Sequence, residues 1–385
     1  MAGEEPDRRT AAPISSVALI VGVTGITGIS LADALRHPSA PGGPWTVYGA
    51  ARRQPPEWFP VSALHEFIKL DALDSAATLR SLSPISSRVT HLFWVALAPN
   101  YADPASANAA MLSNVLGALA GGPSSRLSHV ALQTGTMQYL SPLSGGRMRP
   151  SATAPFTEDS PRGDTPIFYH ALEDILKSHS PRLTWTVHRP SIIFGASPRS
   201  GFNAILTLAA YALICRREGG KLVYPGNEYT WRHPCCDASD SELLAEQHIW
   251  AAAADPAAGN EAFNCTNGDV FAWRSVWEVV AEEFRVGYVA PGEKGSDRIP
   301  FDWVAKMKEK ASVWDVIVEE EGLLRTTLEE IAHFGNLHVI TNLEFEMVSS
   351  MRKSREFGFD RHVDTVASVK KWIGRLRDMN VIPKS

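Results

Sequence analysis

The chain has 385 residues, 44% hydrophobic and 21% charged, with a formal net charge of −5 and a pI near 6.2; it can bury a large core but has no basic excess to meet nucleic-acid phosphates. Its four cysteines, Cys215, Cys235, Cys236 and Cys265, form neither a CxxC pair nor a disulfide framework, which fits a reducing, cytoplasmic setting. The longest apolar stretch, 202–215, falls short of the roughly 20 residues that a bilayer span needs, so the expected partner is a small molecule, with neither nucleic acid nor membrane involved.

Residues 1–16 are polar, lack the apolar core of a signal peptide, and read as a disordered leader. Residues 17–21 form an apolar run ending in glycine, as a buried parallel strand does. Gly22-Val23-Thr24-Gly25-Ile26-Thr27-Gly28 follows, and then a helical pattern over 30–35. Three glycines at this spacing allow a tight turn, close approach to a pyrophosphate and close packing of helix on strand, while the helix N-terminus offers free N–H groups. Gly22, Thr24, Gly25, Ile26 and Gly28 are therefore candidate cofactor residues.

A second strand, 46–50, ends in Ala51-Arg52-Arg53, without the acidic residue that would bind the ribose hydroxyls of NAD. Arg52 and Arg53 can clamp a 2′-phosphate, so NADP(H) is the expected cofactor. A third strand, 66–70, leads into Asp71, which either accepts from the adenine amino group or caps the following helix. Strands at 90–95, 129–133 and 184–189, with a helix at 105–120, continue the alternation and predict an α/β fold, a Rossmann-type doubly wound parallel sheet. Ligands in such sheets sit at the carboxyl ends of the strands, which here carry Ala96, Thr134, Gly135, Pro190, Ser191 and Ile193.

The stretch 141–165, with Gly145-Gly146 near its start, reads as a long loop at the active-site end, and Tyr139, Trp94 and 202–211 as an apolar pocket. Helices are expected at 237–250, opened by Asp237, Ser239 or Asp240, and at 302–310 and 313–321. The resulting division is a Rossmann core over 17–200 and a smaller, mainly helical substrate lobe over 201–385, with some strands returning to the core. His233 and His338 have no ligand-like neighbours, so no metal site is expected. A monomer or homodimer is expected.

Gly22 to Gly28, Val47 to Arg53, Leu132-Gln133-Thr134-Gly135, Phe168 to Ile175, His188-Arg189-Pro190 and Asn260 to Asn264 together resemble the progesterone 5β-reductase/iridoid synthase group of atypical short-chain dehydrogenase/reductases. The resemblance spans essentially the whole folded chain. It implies reduction of the carbon–carbon double bond of an enal or enone by NADPH, with a tyrosine of an F-Y-Y segment and a lysine of a T-G-x-K segment stabilising the developing oxyanion. Ungapped matching places Tyr169 on the first tyrosine, His170 on the second, catalytic one, and Met137 on the lysine.

Three readings follow from that substitution. In the first, His170 replaces the tyrosine as donor to the carbonyl of a hydrophobic substrate, and Asp174, four residues on, orients its ring and raises its pKa. In the second, His170 is the general acid/base of a non-reductive cyclisation, isomerisation or dehydration. In the third, the protein is a catalytically silent NADP(H)-binding module. Adjacent helix residues point about 100° apart, so Tyr169 is expected to be core or pocket wall.

Overall fold

A computed structural model describes residues 16–98, 103–142, 148–163, 167–200, 202–295 and 303–384. In chain order its strands are β1 Ser16–Val21, β2 Trp45–Ala51, β3 Glu66–Lys69, β4 His91–Trp94, β5 His129–Gln133, β6 Leu140–Pro142, β7 Met148–Pro150, β8 Thr184–Pro190, β9 Ile192–Phe194, β10 Leu222–Val223, β11 Ala238–Asp240, β12 Glu261–Cys265 and β13 Tyr288–Val289. The helices are α1 Ile26–Arg36, α2 Ser75–Ser86, α3 Pro104–Ala120, α4 Phe168–Ser178, α5 Ala204–Arg217, α6 Glu228–Arg232, α7 Ser241–Ala253, α8 Trp273–Glu283, α9 Trp303–Lys308, α10 Ala311–Glu320, α11 Leu328–Ile331, α12 Phe334–Thr341, α13 Arg352–Glu356 and α14 Thr365–Asp378.

Seven strands make one parallel sheet in the order β12-β8-β5-β4-β1-β2-β3. The order reverses between β1 and β4, and such a switch point opens a crevice at the strand carboxyl ends. This is the doubly wound Rossmann sheet that the alternation predicts. Leu19, Val21, Leu92, Trp94, Val130 and Leu132 bury one face under α2, α3 and α4, while Ala18, Ile20, Phe93 and Ala131 meet α1 and α7 on the other. The alternation of inward residues is the period of two that a strand imposes.

The apolar run near residue 202 becomes α5, buried at every position from Ala204 to Ile214. It is the centre of a second core that includes Trp273, Trp277, Trp303 and Trp314. No helix among the described residues is long and apolar enough to cross a membrane. Asp240 ties this part of the chain to its end: its buried carboxylate caps α7 through the Glu242 amide (3.0 Å). It also receives Ser368 Oγ (2.6 Å), Lys371 Nζ (2.8 Å) and Trp372 Nε1 (2.9 Å) from α14.

Several expected boundaries shift. The first helix begins at Ile26, directly after its N-cap Gly25, and not at 30. The helix expected from 237 begins at Ser241, because 238–240 is drawn into parallel pairing with β9 and Asp240 becomes the cap. The stretch 141–165 carries part of the antiparallel β6–β7 pair, and Phe156 bridges Ser349, so it is tied down at both places. Gly145-Gly146, Asp302 and residues 1–15 of the expected leader lie outside the described residues, and Ser16 already belongs to β1.

Through the middle of the sheet runs a histidine layer: His91 on β4, His129 on β5, His188 on β8 and His248 on α7. Ring centroids are 6.0 Å apart for the first two and 3.9 Å for the last two. Thr184 and Thr186 bond the two ring nitrogens of His129, and Gln247 and Thr186 those of His188. Burial keeps the rings neutral, pushing His129 down to about 3 and His91 and His188 to about 4.

Candidate active site

The carboxyl end of β1 turns at Gly22, whose φ of +97° a side chain rarely adopts. A Cβ there would lie 2.7 Å from the Ala96 amide nitrogen, so the turn rests directly on the backbone after β4. A Cβ at Gly28 would lie 2.3 Å from the Gly22 carbonyl oxygen, which accounts for the third glycine. Gly25 caps α1 without a side-chain bond, and the first turn holds no acidic residue. The helix therefore presents its positive end uncompensated, as an anion site requires. Thr24 accepts from Ser197 Oγ at 2.8 Å, and Ile26 is packed against Gly195. The structure thus brings together Gly22, Thr24, Gly25, Ile26, Gly28 and Ala96.

At the end of β2, Arg52 and Arg53 are exposed. Arg53 Nη1 donates to Glu330 Oε1 at 3.1 Å, and Arg199 Nε lies 3.9 Å from the same oxygen. Burial and the neighbouring Arg53 lower the Arg199 pKa. Nothing in the local sequence marks Arg199 or Glu330. Asp71 is exposed and accepts from the Leu73 amide (3.1 Å), whereas the cap of α2 is Asp74, accepting from Ala77; helix capping is therefore not the role of Asp71.

The end of β5 is the most unusual part of the molecule. Gln133 Oε1, Thr134 Oγ1, Gln138 Oε1 and His170 Nε2 are buried there without a hydrogen-bond partner. Buried polar atoms are paired in the great majority of cases, and each exception asks for an explanation. The Tyr169 hydroxyl lies 3.1 Å from where a Gly135 Cβ would be, and the Pro190 carbonyl 3.3 Å from that point. The Tyr169 hydroxyl thus reaches the turn after β5, and burial pushes its pKa up to about 12. Met137 follows on a short 3-10 turn and is 38% exposed.

The expected His170–Asp174 pair does not form. Arg162 takes the Asp174 carboxylate with both nitrogens, at 3.0 and 2.7 Å. Burial, and then the positive Arg162, lower the His170 pKa, the reverse of the expected shift. The Ser191 hydroxyl donates to the Asp237 carbonyl at 3.1 Å, and Ile193 packs with Leu243, Leu244 and Phe359. Asp237 is a buried carboxylic acid pushed up to about 7 by burial, which its expected role as a helix cap did not foresee.

Beneath the site lies a fully bonded scaffold that sequence reading missed. Arg189, at the end of β8, donates to Glu173 of α4 at 2.9, 3.1 and 3.2 Å, to the Tyr139 hydroxyl at 3.0 Å and to the Glu158 carbonyl at 3.1 Å. The Tyr139 hydroxyl in turn donates to Asn264 Oδ1 at 2.7 Å. Tyr139 therefore belongs to this scaffold, stacked on Phe156, and Trp94 to the sheet core; neither is the pocket wall expected of it. Glu173 is one turn from Tyr169 on α4, so the ion pair fixes the helix that presents Tyr169 and His170.

A nicotinamide dinucleotide fits these residues: glycines that any side chain would obstruct, an uncapped helix N-terminus, and unpartnered polar atoms at the end of β5. Residues 68–383 match the family described as a PRISE-like Rossmann-fold domain. The chain is 43% identical over 374 residues to the (S)-8-oxocitronellyl enol synthase of Catharanthus roseus, covering 96% of this chain and 92% of that protein. It is 42% identical over 382 residues to the 3-oxo-Delta(4,5)-steroid 5-beta-reductase of Arabidopsis thaliana, covering 96% and 93%. Among solved structures, the UDP-glucose 4-epimerase of Thermus thermophilus in complex with NAD shares the fold, with a TM-score of 0.61, 14% identity and coverage of 94% and 99%.

Proposed function

The chain belongs to the PRISE-like Rossmann-fold family of short-chain dehydrogenase/reductase enzymes, and from that premise we propose that it uses NADPH to reduce the carbon–carbon double bond of a hydrophobic α,β-unsaturated carbonyl compound. The observation that carries the reading is the group of polar atoms left open at the end of β5: the Tyr169 hydroxyl against Gly135, with Thr134 Oγ1 and His170 Nε2 buried and unpartnered. The names of the relatives, an enol synthase and a steroid 5-beta-reductase, point to the same class of substrate.

When bound, the nicotinamide supplies a hydride to the carbon β to the carbonyl. The amides at the start of α1 hold the pyrophosphate, Arg52 and Arg53 the 2′-phosphate, Asp71 accepts from the adenine amino group, and Thr134 and Gln133 fix the nicotinamide end. Negative charge gathers on the substrate carbonyl oxygen and needs donors that are in place beforehand. A tyrosine held up near 12 keeps its proton at neutral pH and donates. His170 stays neutral because burial and Arg162 disfavour its charged form, and one ring N–H remains to donate. Both donors are dipoles, and Met137 adds no charge to them. Leu97 and Met137, exposed in the segments that follow β4 and β5, give the carboxyl side of the sheet apolar surface suited to a hydrophobic substrate.

The test follows NADPH absorbance against a panel of enals, enones and ketones, with Tyr169→Phe and His170→Ala beside the parent. Enal or enone turnover that collapses in either variant supports the reading. Product formed without NADPH consumption replaces it with a cyclase or isomerase, and tight NADPH binding with no product from any substrate replaces it with a binding module.

A further inference from the structure

The arginines at the end of β2 have company from the other half of the chain. Arg199 lies between β9 and α5, yet its Nη1 donates to the carbonyl of Gln54 at 2.5 Å, the residue directly after Arg53. It is fixed to the β2 loop by this bond and is 21% exposed, against 54% for Arg53. Both guanidinium groups converge on one oxygen, Glu330 Oε1, at 3.1 and 3.9 Å. Two positive groups therefore gather about one negative charge, and Arg52 stands next to Arg53 in the chain. Like charges held this close repel, and a single carboxylate leaves them undercompensated. A phosphate monoester carries close to two charges and offers three acceptor oxygens, which matches planar guanidinium forks better than one carboxylate does.

We infer that Arg199 is a third arginine of the site for the cofactor's 2′-phosphate, and that Glu330 is the resident counter-anion of that site, which the phosphate displaces. The inference rests on the NADPH reading given above. Glu330 sits on α11, a short helix among the elements packed around α5, whereas Arg53 lies in the loop that follows β2 of the sheet. Its carboxylate therefore competes with the phosphate from within the protein, and only a ligand bearing the 2′-phosphate has to overcome it. NADH, which lacks that group, neither gains from Arg199 nor loses to Glu330.

Dissociation constants for NADPH, NADH and adenosine 2′,5′-bisphosphate test this in the parent, Arg199→Met, Arg199→Lys, Glu330→Gln and an Arg52→Ala/Arg53→Ala double variant. Arg199→Met is expected to weaken NADPH and the bisphosphate by about tenfold, with NADH unchanged and with partial recovery in Arg199→Lys. Glu330→Gln is expected to tighten both phosphate-bearing ligands by about threefold, the scale of a partly exposed ion pair, again without effect on NADH. Unchanged NADPH affinity in Arg199→Met, or unchanged or weaker affinity in Glu330→Gln, overturns the inference while the double variant still discriminates. Equal loss of NADPH and NADH in the double variant overturns the 2′-phosphate reading itself. Unaltered NADH binding shows in each single variant that the fold is intact.

Discussion

β5 and β8 are neighbours whose carboxyl ends are joined by a bond from the Thr134 amide to the His188 carbonyl, at 2.8 Å, yet they treat polar groups in opposite ways. At the end of β8, Arg189 bonds through Nε, Nη1 and Nη2 to Glu173, Tyr139 and the Glu158 carbonyl. At the end of β5, Gln133, Thr134 and nearby Gln138 and His170 each bury an atom with no partner. An unmade buried hydrogen bond costs about 1–3 kcal/mol, so each such atom asks for an explanation. The contrast sets side chains bonded within the fold beside side chains whose polar atoms the fold leaves open; on the reading proposed above, the second group meets the ligand.

Substitution can break the contrast from either side. The largest effect is expected from Glu173→Ala, which leaves the Arg189 guanidinium buried and uncompensated. Loss of one partner of such a pair costs about 3–5 kcal/mol, read as a lower midpoint in urea, and a loss under 1 kcal/mol would remove the distinction between the two strand ends. Next comes Tyr169→Phe on the open side. It is expected to lower kcat by about 10²–10³-fold, the usual effect of deleting one oxyanion donor, with little change in melting temperature. Activity retained in this variant moves the donor role to His170 alone.

The histidine layer should blur the contrast, since His129 lies on β5 and His188 on β8. Their folded pKa values, about 3 and about 4, fall below the ordinary value of 6.5. The unfolded chain therefore binds more protons, and stability is full above pH 6.5 and declines as the pH falls towards 4. Each neutral histidine contributes a slope of about 1.4 kcal/mol per pH unit in that window. Asp237, raised to about 7, works in the opposite direction and offsets about one of the four rings. Denaturant midpoints at pH 7.5, 6, 5 and 4.5 check this, and a flat profile would contradict a neutral layer. The smallest effect is expected from Thr134→Val: stability within about 0.5 kcal/mol, because the hydroxyl has no partner to lose. Cofactor affinity should drop all the same, and an unchanged affinity would leave Thr134 outside the site.

Much of this was legible in the sequence wherever the determining contacts are local. An apolar run, a glycine turn and a helix in succession specify β1, the cradle and α1, because each glycine answers to a backbone atom within a few residues or on the next strand. The His170–Asp174 expectation failed for the opposite reason. Helical spacing does place the two on neighbouring positions, but Arg162, from a non-helical segment, offers Asp174 two charge-assisted bonds that an imidazole cannot match. Arg199 and Glu330 meet only because the end of β2, the segment before α5 and α11 converge in the fold. Likewise, of the three candidate openers of α7, Asp237, Ser239 and Asp240, the last is the cap, because 238–240 found a strand to pair with. Periodicity reports which face a residue occupies, and it is silent on which distant group arrives there first.

The tether at Asp240 has a bearing on how the protein folds. Its carboxylate ends in a dry interior, bonded to Ser368, Lys371 and Trp372 within α14. Those three residues lie at least 128 positions further along the chain. Until α14 docks, the carboxylate has to remain hydrated, since burying it unpaired is costly. The start of α7 therefore closes only when α14 docks, and α7 packs directly on α1, the helix that begins the candidate cofactor cradle. The sheet can form from its own strands, but the cap of α7 is completed only by a helix far along the chain.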